Sequence, residues 1–141
     1  MVKPIRVLFV CVANAGRSQM AEAFLKGMAC GAVQVSSAGS EPGDDIHPVV
    51  RQAMREKGYD LAGQRPKGFD AVRANASPPV WDLAVTLCED EVCPRTAAKE
   101  IRHWPIPDPK GKPIDEVRKI RDQIESLCQT LLAEIVSKDT P

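Results

Sequence analysis

Apolar positions along the chain follow two rhythms. Residues 5–10, "IRVLFV", form an unbroken apolar, β-branched run, the pattern of a strand buried on both faces. Residues 81–88, "WDLAVTLC", repeat that pattern, and residues 33–39, "VQVSSAG", read as a shorter strand ending in a turn. Residues 101–109, "IRHWPIPDP", predict a fourth short strand running into a proline-stiffened loop. Between these runs the apolar spacing changes to three and four. "SQMAEAFLKGMA" (18–29) predicts a helix with Met20, Ala23, Phe24 and Gly27 at helical spacing. "HPVVRQAMREKG" (47–58) predicts an amphipathic helix stopped by Gly58. Val117, Ile120, Ile124, Leu127, Leu131 and Ile135 mark a long closing helix from about 113 to 137 with one apolar face. A short helix is expected around 67–74.

Strands that alternate with helices imply the α/β class. The expected architecture is a four-stranded parallel sheet flanked by helices, flavodoxin-like, in a single domain over residues 1–141. Ligands of such sheets bind beyond the carboxyl ends of the strands, at the switch point. Three chemically capable residues fall at that edge. Cys11 follows the first strand, Cys88 ends the third, and Asp108 lies just after the fourth.

Charge and composition narrow the partners. Nineteen basic and nineteen acidic residues cancel, which gives no argument for nucleic acid or an anionic membrane surface. No apolar run approaches the ~20 residues of a membrane span. "MVKPIRVLFVCV" has no small-residue cleavage site, so it reads as a buried strand rather than a signal peptide. Five cysteines (Cys11, Cys30, Cys88, Cys93, Cys128) make an odd number in a chain long enough for a real core. That argues against a secreted disulfide framework and for a reducing cytoplasm with thiols at work. Cys30 and Cys128 read as packing residues. His47 and His103 read as a helix-start and a structural residue, and no metal-ligand spacing appears. Neither metal nor cofactor is expected, and the chain is expected to be a monomer.

The stretch "CVANAGRS" changes the picture most. Cys11 and Arg17 flank Val12, Ala13, Asn14, Ala15 and Gly16, small residues apart from one valine and one amide, and Ser18 follows. A loop of this kind leading into a helix can turn its backbone N–H groups inward. Such a nest, backed by the helix N-terminus, binds a tetrahedral oxyanion. Asn14 tolerates the positive φ that the tight curl requires. Arg17 can grip two anion oxygens at once. Ser18 can donate a hydrogen bond to Cys11, and the positive surroundings favour a thiolate. A bare Cys-x5-Arg occurs often by chance. Here the strand before it, the Asn within it, the Ser after it and the helix beyond it agree on an anion cradle with a nucleophile at its floor.

"VLFVCVANAGRSQMAEAF" resembles the signature of the low-molecular-weight tyrosine phosphatase fold. "RSQMAEAF", "SSAGSEP", "DLAVTLCEDEVCP" and "HWPIPDP" are similar to arsenate reductases of the thioredoxin-linked type, and the resemblance runs over nearly the whole chain. It implies reduction of arsenate to arsenite, with phosphate or sulfate as mimics of the substrate. It carries catalytic roles onto Cys11, Arg17, Cys88, Cys93 and Asp108. Cys11 would attack arsenic, Asp108 would protonate the departing oxygen, and Cys88 would attack the Cys11 sulfur. Exchange with Cys93 would leave a Cys88–Cys93 bridge, reset by thioredoxin or a similar thiol system.

The chain also departs from that pattern. Ala13 and Ala15 stand where the family usually has Gly and Ser, and Cys88 and Cys93 are closer together than in the best-studied reductases. Some relatives hold a structural potassium ion beside the loop. Glu22 and Ser37 match its ligands, but Lys67 stands where a carboxylate would be, so an ammonium is expected in place of the ion. The alternative reading is a low-molecular-weight protein tyrosine phosphatase. Against it, "KGK" follows Asp108-Pro109 where that family usually has aromatic residues. A non-catalytic oxyanion-binding module is a third class.

Overall fold

The computed structural model describes residues 4–89 and 94–138. Its elements run β1 (Ile5–Cys11), α1 (Arg17–Ala29), β2 (Val33–Gly39), α2 (Pro48–Arg55), α3 (Phe69–Val72), β3 (Trp81–Thr86), β4 (Ala98–His103) and α4 (Ile114–Lys138). The strands form one sheet in the order β2-β1-β3-β4, and every pairing is parallel. The α/β architecture read from the sequence is therefore the observed one. The chain steps from β1 outward to β2, then crosses to the other side of β1 to form β3. The strand order reverses there, so the crevice opens where β1 and β3 end.

Two cores hold the sheet. On one face Val7, Phe9, Leu83 and Val85 pack with Met20 and Phe24 of α1, Met54 of α2, and Ile124 and Leu131 of α4. On the other face Leu8, Val10, Ala38 and Ala84 lie under Ala74 and the short α3 segment. β1 alternates between the two cores, which is why its sequence is apolar throughout from Val7 to Cys11. No helix is long and apolar enough to cross a membrane among the described residues.

Boundaries differ from the sequence reading in instructive places. β3 stops at Thr86 rather than Cys88, although Leu87 N–H still donates to Val10 O at 2.9 Å. β4 begins at Ala98 and ends at His103, three residues ahead of the expected start. It is an edge strand on which Lys99, Glu100 and Ile101 are exposed, so apolar patterning cannot mark where it begins. α2 ends at Arg55, and Gly58, with φ +85°, turns the chain back after it. Cys30 is exposed at the left-handed end of α1 and is not a packing residue. Cys128 is fully buried on α4, where burial pushes its thiol up to about 12.

α2 is joined to α4 by a charged clamp. Arg118 donates to both oxygens of Glu56 (2.9 and 2.7 Å), and Arg121 Nη1 donates to Glu56 Oε1 and to Ala53 O (both 2.9 Å). The bonds from Arg118 lead in lowering the Glu56 carboxyl from 4.5 to about 2. A carboxyl with a lower pKa in the folded than in the unfolded chain stabilises the fold above the unfolded value, and that contribution fades as pH falls towards the folded one. Glu56→Gln should lower the urea midpoint at pH 7. It should also flatten the loss of midpoint between about pH 4.5 and 2 relative to wild type. Parallel curves for the two proteins across that interval would refute the clamp's part in acid stability.

Candidate active site

β1 delivers Cys11 to the carboxyl edge of the sheet, and residues 12–16 curl back before α1 begins at Arg17. The curl is held from outside through its carbonyls. Val12 O accepts from Glu41 N–H, Ala13 O from Gly43 N–H, Ala15 O from His47 N–H and Gly16 O from Met20 N–H, at 2.9–3.0 Å. Asn14 O accepts from Gln19 Nε2 at 3.1 Å. In a planar trans peptide the next N–H points opposite to its carbonyl. Anchoring five successive carbonyls outward therefore turns the amides of Ala13 to Arg17 to the inside, the backbone arrangement of a nest. Two close approaches complete it. A Cβ on Gly39 would lie 2.3 Å from Val12 O, and one on Gly16 would lie 2.9 Å from Pro109 Cγ.

The Asn14 side chain sets the polarity of the site. Its φ is +51°, as the loop requires. Its Oδ1 accepts from Gln19 Nε2 and from Lys67 N–H, each at 2.9 Å. A backbone N–H can only donate, so the amide orientation is fixed and Nδ2 donates to Ser18 Oγ at 2.7 Å. The Ser18 oxygen already accepts there, which leaves its proton for Cys11 Sγ, 2.9 Å away. Asn14 N–H donates to the same sulfur at 3.2 Å. Both contacts place a donor against the sulfur.

The loop opens on a cleft of about 460 Å³. Cys11, Val12, Ala13, Ala15, Gly16 and Arg17 form its floor, and Gly43, Asp44, Asp45, His47, Asp108 and Lys110 its walls. Arg17 is buried. Its Nη1 donates to Ile106 O at 2.8 Å, and its Nη2 lies 3.9 Å from Asp108 Oδ2. Asp108 is half exposed and accepts from Lys110 N–H at 3.0 Å. The structure thus brings together Cys11, the loop, Arg17, Ser18 and Asp108. Cys88 is wholly buried just beyond β3 and is not among the residues lining the cleft. Cys93 lies outside the described residues.

Lys67 is held beside Glu22 and Ser37. Its Nζ donates to Glu22 Oε1 at 3.2 Å and to Ser37 Oγ at 3.3 Å, and Ser37 Oγ donates to Glu22 Oε1 at 2.6 Å. The ammonium fills the place of a cation beside a buried carboxylate, so these residues do not fit a potassium ion as well. The melting temperature should accordingly be the same in potassium and sodium buffers of equal ionic strength. A potassium-specific rise would overturn this reading.

Sequence reasoning missed two features. Gln19 is fully buried and ties Asn14 to Arg65 O, while Gln64 Nε2 holds Gln19 Oε1 at 2.6 Å. Its signal, a Gln after the Arg-Ser pair, is legible only once the segment at 64–67 is known to pass beside it. His47 starts α2 as expected, but its side chain caps nothing there and lines the cleft instead.

Known proteins resemble this chain over most of its length. Residues 6–140 match the low molecular weight phosphotyrosine protein phosphatase family. An arsenate reductase of Brevibacillus brevis is 40% identical over 121 residues, which cover 84% of this chain and 87% of the relative. A glutaredoxin arsenate reductase of Synechocystis is 33% identical, over 92% of this chain and 98% of the relative. The solved thioredoxin-dependent arsenate reductase of Corynebacterium glutamicum superimposes with a TM-score of 0.76 at 32% identity, over 99% of this chain and 66% of that one. The chain belongs to the low molecular weight phosphotyrosine protein phosphatase family, alongside that family's arsenate reductases.

Proposed function

We propose that this chain reduces arsenate to arsenite with electrons from its own cysteine thiols. The observation that carries the reading is the convergence of Ser18 O–H and Asn14 N–H on Cys11 Sγ at the floor of an oxyanion nest. Arsenate and phosphate share shape and charge, so the nest and Arg17 serve either anion. Cys11 attacks arsenic, and Asp108 protonates the oxygen that leaves as water. A second thiol must then take the Cys11 sulfur, because As(V) needs two electrons to become As(III). Cys88, two residues beyond the end of the strand beside β1, supplies it. Its complete burial means that passing the oxidation outward requires the chain after β3 to move. Cys93 is the acceptor in this scheme and leaves a Cys88–Cys93 disulfide. The reset falls to a thiol system of the thioredoxin or glutaredoxin kind, in a reducing cytoplasm.

A second reading is hydrolysis of phosphate monoesters, since Cys11, Arg17 and Asp108 share one cleft and suffice for it. Among the described residues lining that cleft none is Phe, Tyr or Trp, so none offers a phenyl, phenol or indole ring to stack on an aryl group. The test is arsenate-dependent consumption of NADPH, coupled in turn through thioredoxin and through glutaredoxin with glutathione, beside an aryl phosphate assay. Brisk aryl phosphate hydrolysis with no arsenate-dependent NADPH consumption in any coupled system would replace the first reading by the second.

A further inference from the structure

We infer that His47 is a second proton donor of the site, acting when arsenite leaves. The inference rests on the arsenate reductase reading above and concerns a step in which Asp108 is already spent. Proton bookkeeping creates the need. Dihydrogen arsenate, the Cys11 thiolate and the Asp108 proton give water and a thioarsenate monoanion, Cys11–S–AsO₃H⁻. Asp108 is then a carboxylate. In the second step Cys88 sulfur bonds to Cys11 sulfur, the S–As bond breaks, and its electron pair stays on arsenic. The thioarsenate brings one proton and the Cys88 thiol a second. Neutral arsenite, As(OH)₃, carries three. One proton is still required, and the step needs it, because oxygens on As(III) are far more basic than those on As(V). Without it the leaving group is an anion held by Arg17 and the nest.

The geometry points to His47 for that proton. It lines the same cleft as Cys11, Arg17 and Asp108. Its N–H is anchored to Ala15 O at 3.0 Å, which fixes its Cα against the oxyanion loop. Its ring lies along the loop itself, with Cδ2 3.5 Å from where a Cβ on Gly16 would be. Pro48 begins α2 directly after it, and the imidazole makes no capping bond to that helix. A histidine at a helix start usually earns its place by capping or packing; this one turns its ring to the cleft. Among the described residues, the other ionisable groups facing that space are the carboxyls of Asp44, Asp45 and Asp108, the guanidinium of Arg17, the ammonium of Lys110 and the Cys11 thiol. Asp45 is engaged by Arg51 at 2.6 Å, which leads in holding its carboxyl below the usual range and makes it a poor proton source. Among the described side chains facing the cleft, imidazole is the most common general acid–base group in proton transfer.

The test is single-turnover release of arsenite from the full-length reduced protein, with arsenate in excess, no reductant, and acid quench. His47→Ala should release arsenite about 10²–10⁴-fold more slowly, the usual worth of a general acid, with little change in the arsenate concentration for half-maximal rate. Added imidazole should restore a large part of the rate in proportion to its concentration, which a merely structural defect would not allow. His47→Asn, close in shape and unable to donate as an acid, should be as slow as His47→Ala. The inference is overturned if His47→Ala stays within about twofold of wild type, or if its defect does not respond to imidazole. Failure of wild type to release arsenite at all would instead sink the reductase reading on which the inference rests.

Discussion

Cys88→Ser should abolish arsenite production while Cys11 still attacks arsenate. The variant stalls as a thioarsenate, because no second sulfur is present to take Cys11 and leave the electron pair on arsenic. The expected loss of steady-state turnover is about 10³-fold or more, since removing one member of a catalytic unit removes the work of the whole unit. Cys93→Ser should behave differently. It should complete roughly one turnover and stop as a Cys11–Cys88 bridge, with nothing to carry the oxidation outward. Aryl phosphate hydrolysis should persist in both variants, because it calls only on Cys11, Arg17 and Asp108. The measurement is thiol counting and peptide mapping after one equivalent of arsenate. Wild type without an arsenate-dependent Cys88 disulfide, but with brisk phosphatase activity, would make the chain a phosphatase. A Cys93→Ser variant with full turnover would keep the reductase and remove Cys93 from the relay, leaving the Cys11–Cys88 bridge to be reset directly by a small thiol.

Arg17→Lys should cost about 10²–10³-fold in kcat/KM for arsenate, the scale of losing one preorganised oxyanion donor group. Arg17 Nη1 is committed to Ile106 O, and Nη2 lies on the side of Asp108, so the planar fork spans the loop after β4 and the cleft at once. A lysine ammonium is a point donor on a flexible stem and cannot hold both ends of that span. The loss should appear equally for arsenate and for aryl phosphate, since the nest is common to both. Near-native rates would show that the anion is not held at this loop.

The parts of the molecule that were legible in the sequence are those whose determinants lie close together along the chain. β1 shows in "IRVLFV" because both of its faces are buried, and α4 shows because its apolar side recurs every three or four residues. The cradle shows because Cys11, Asn14, Arg17 and Ser18 fall within eight consecutive residues, and the loop, its left-handed Asn and the following helix are local backbone matters. Even Lys67 was legible by position, though only through resemblance. The start of β4 was not, since an exposed edge strand with Lys99 and Glu100 carries little apolar signal. Contacts between distant segments were not legible either. Gln19 meets Gln64 across 45 positions and Asn14 meets Lys67 across 53, and those bonds fix which way the Asn14 amide points and hence which way the Ser18 proton goes. His47 looked like an ordinary helix start until the fold laid its ring against Gly16. Cys88 was read at the right edge of the sheet, but its depth was not, because depth depends on what packs over the end of β3. Spacing along one chain records local geometry, whereas the choice of hydrogen-bond partner, the exposure of a thiol and the direction of a side chain depend on segments that only folding brings together.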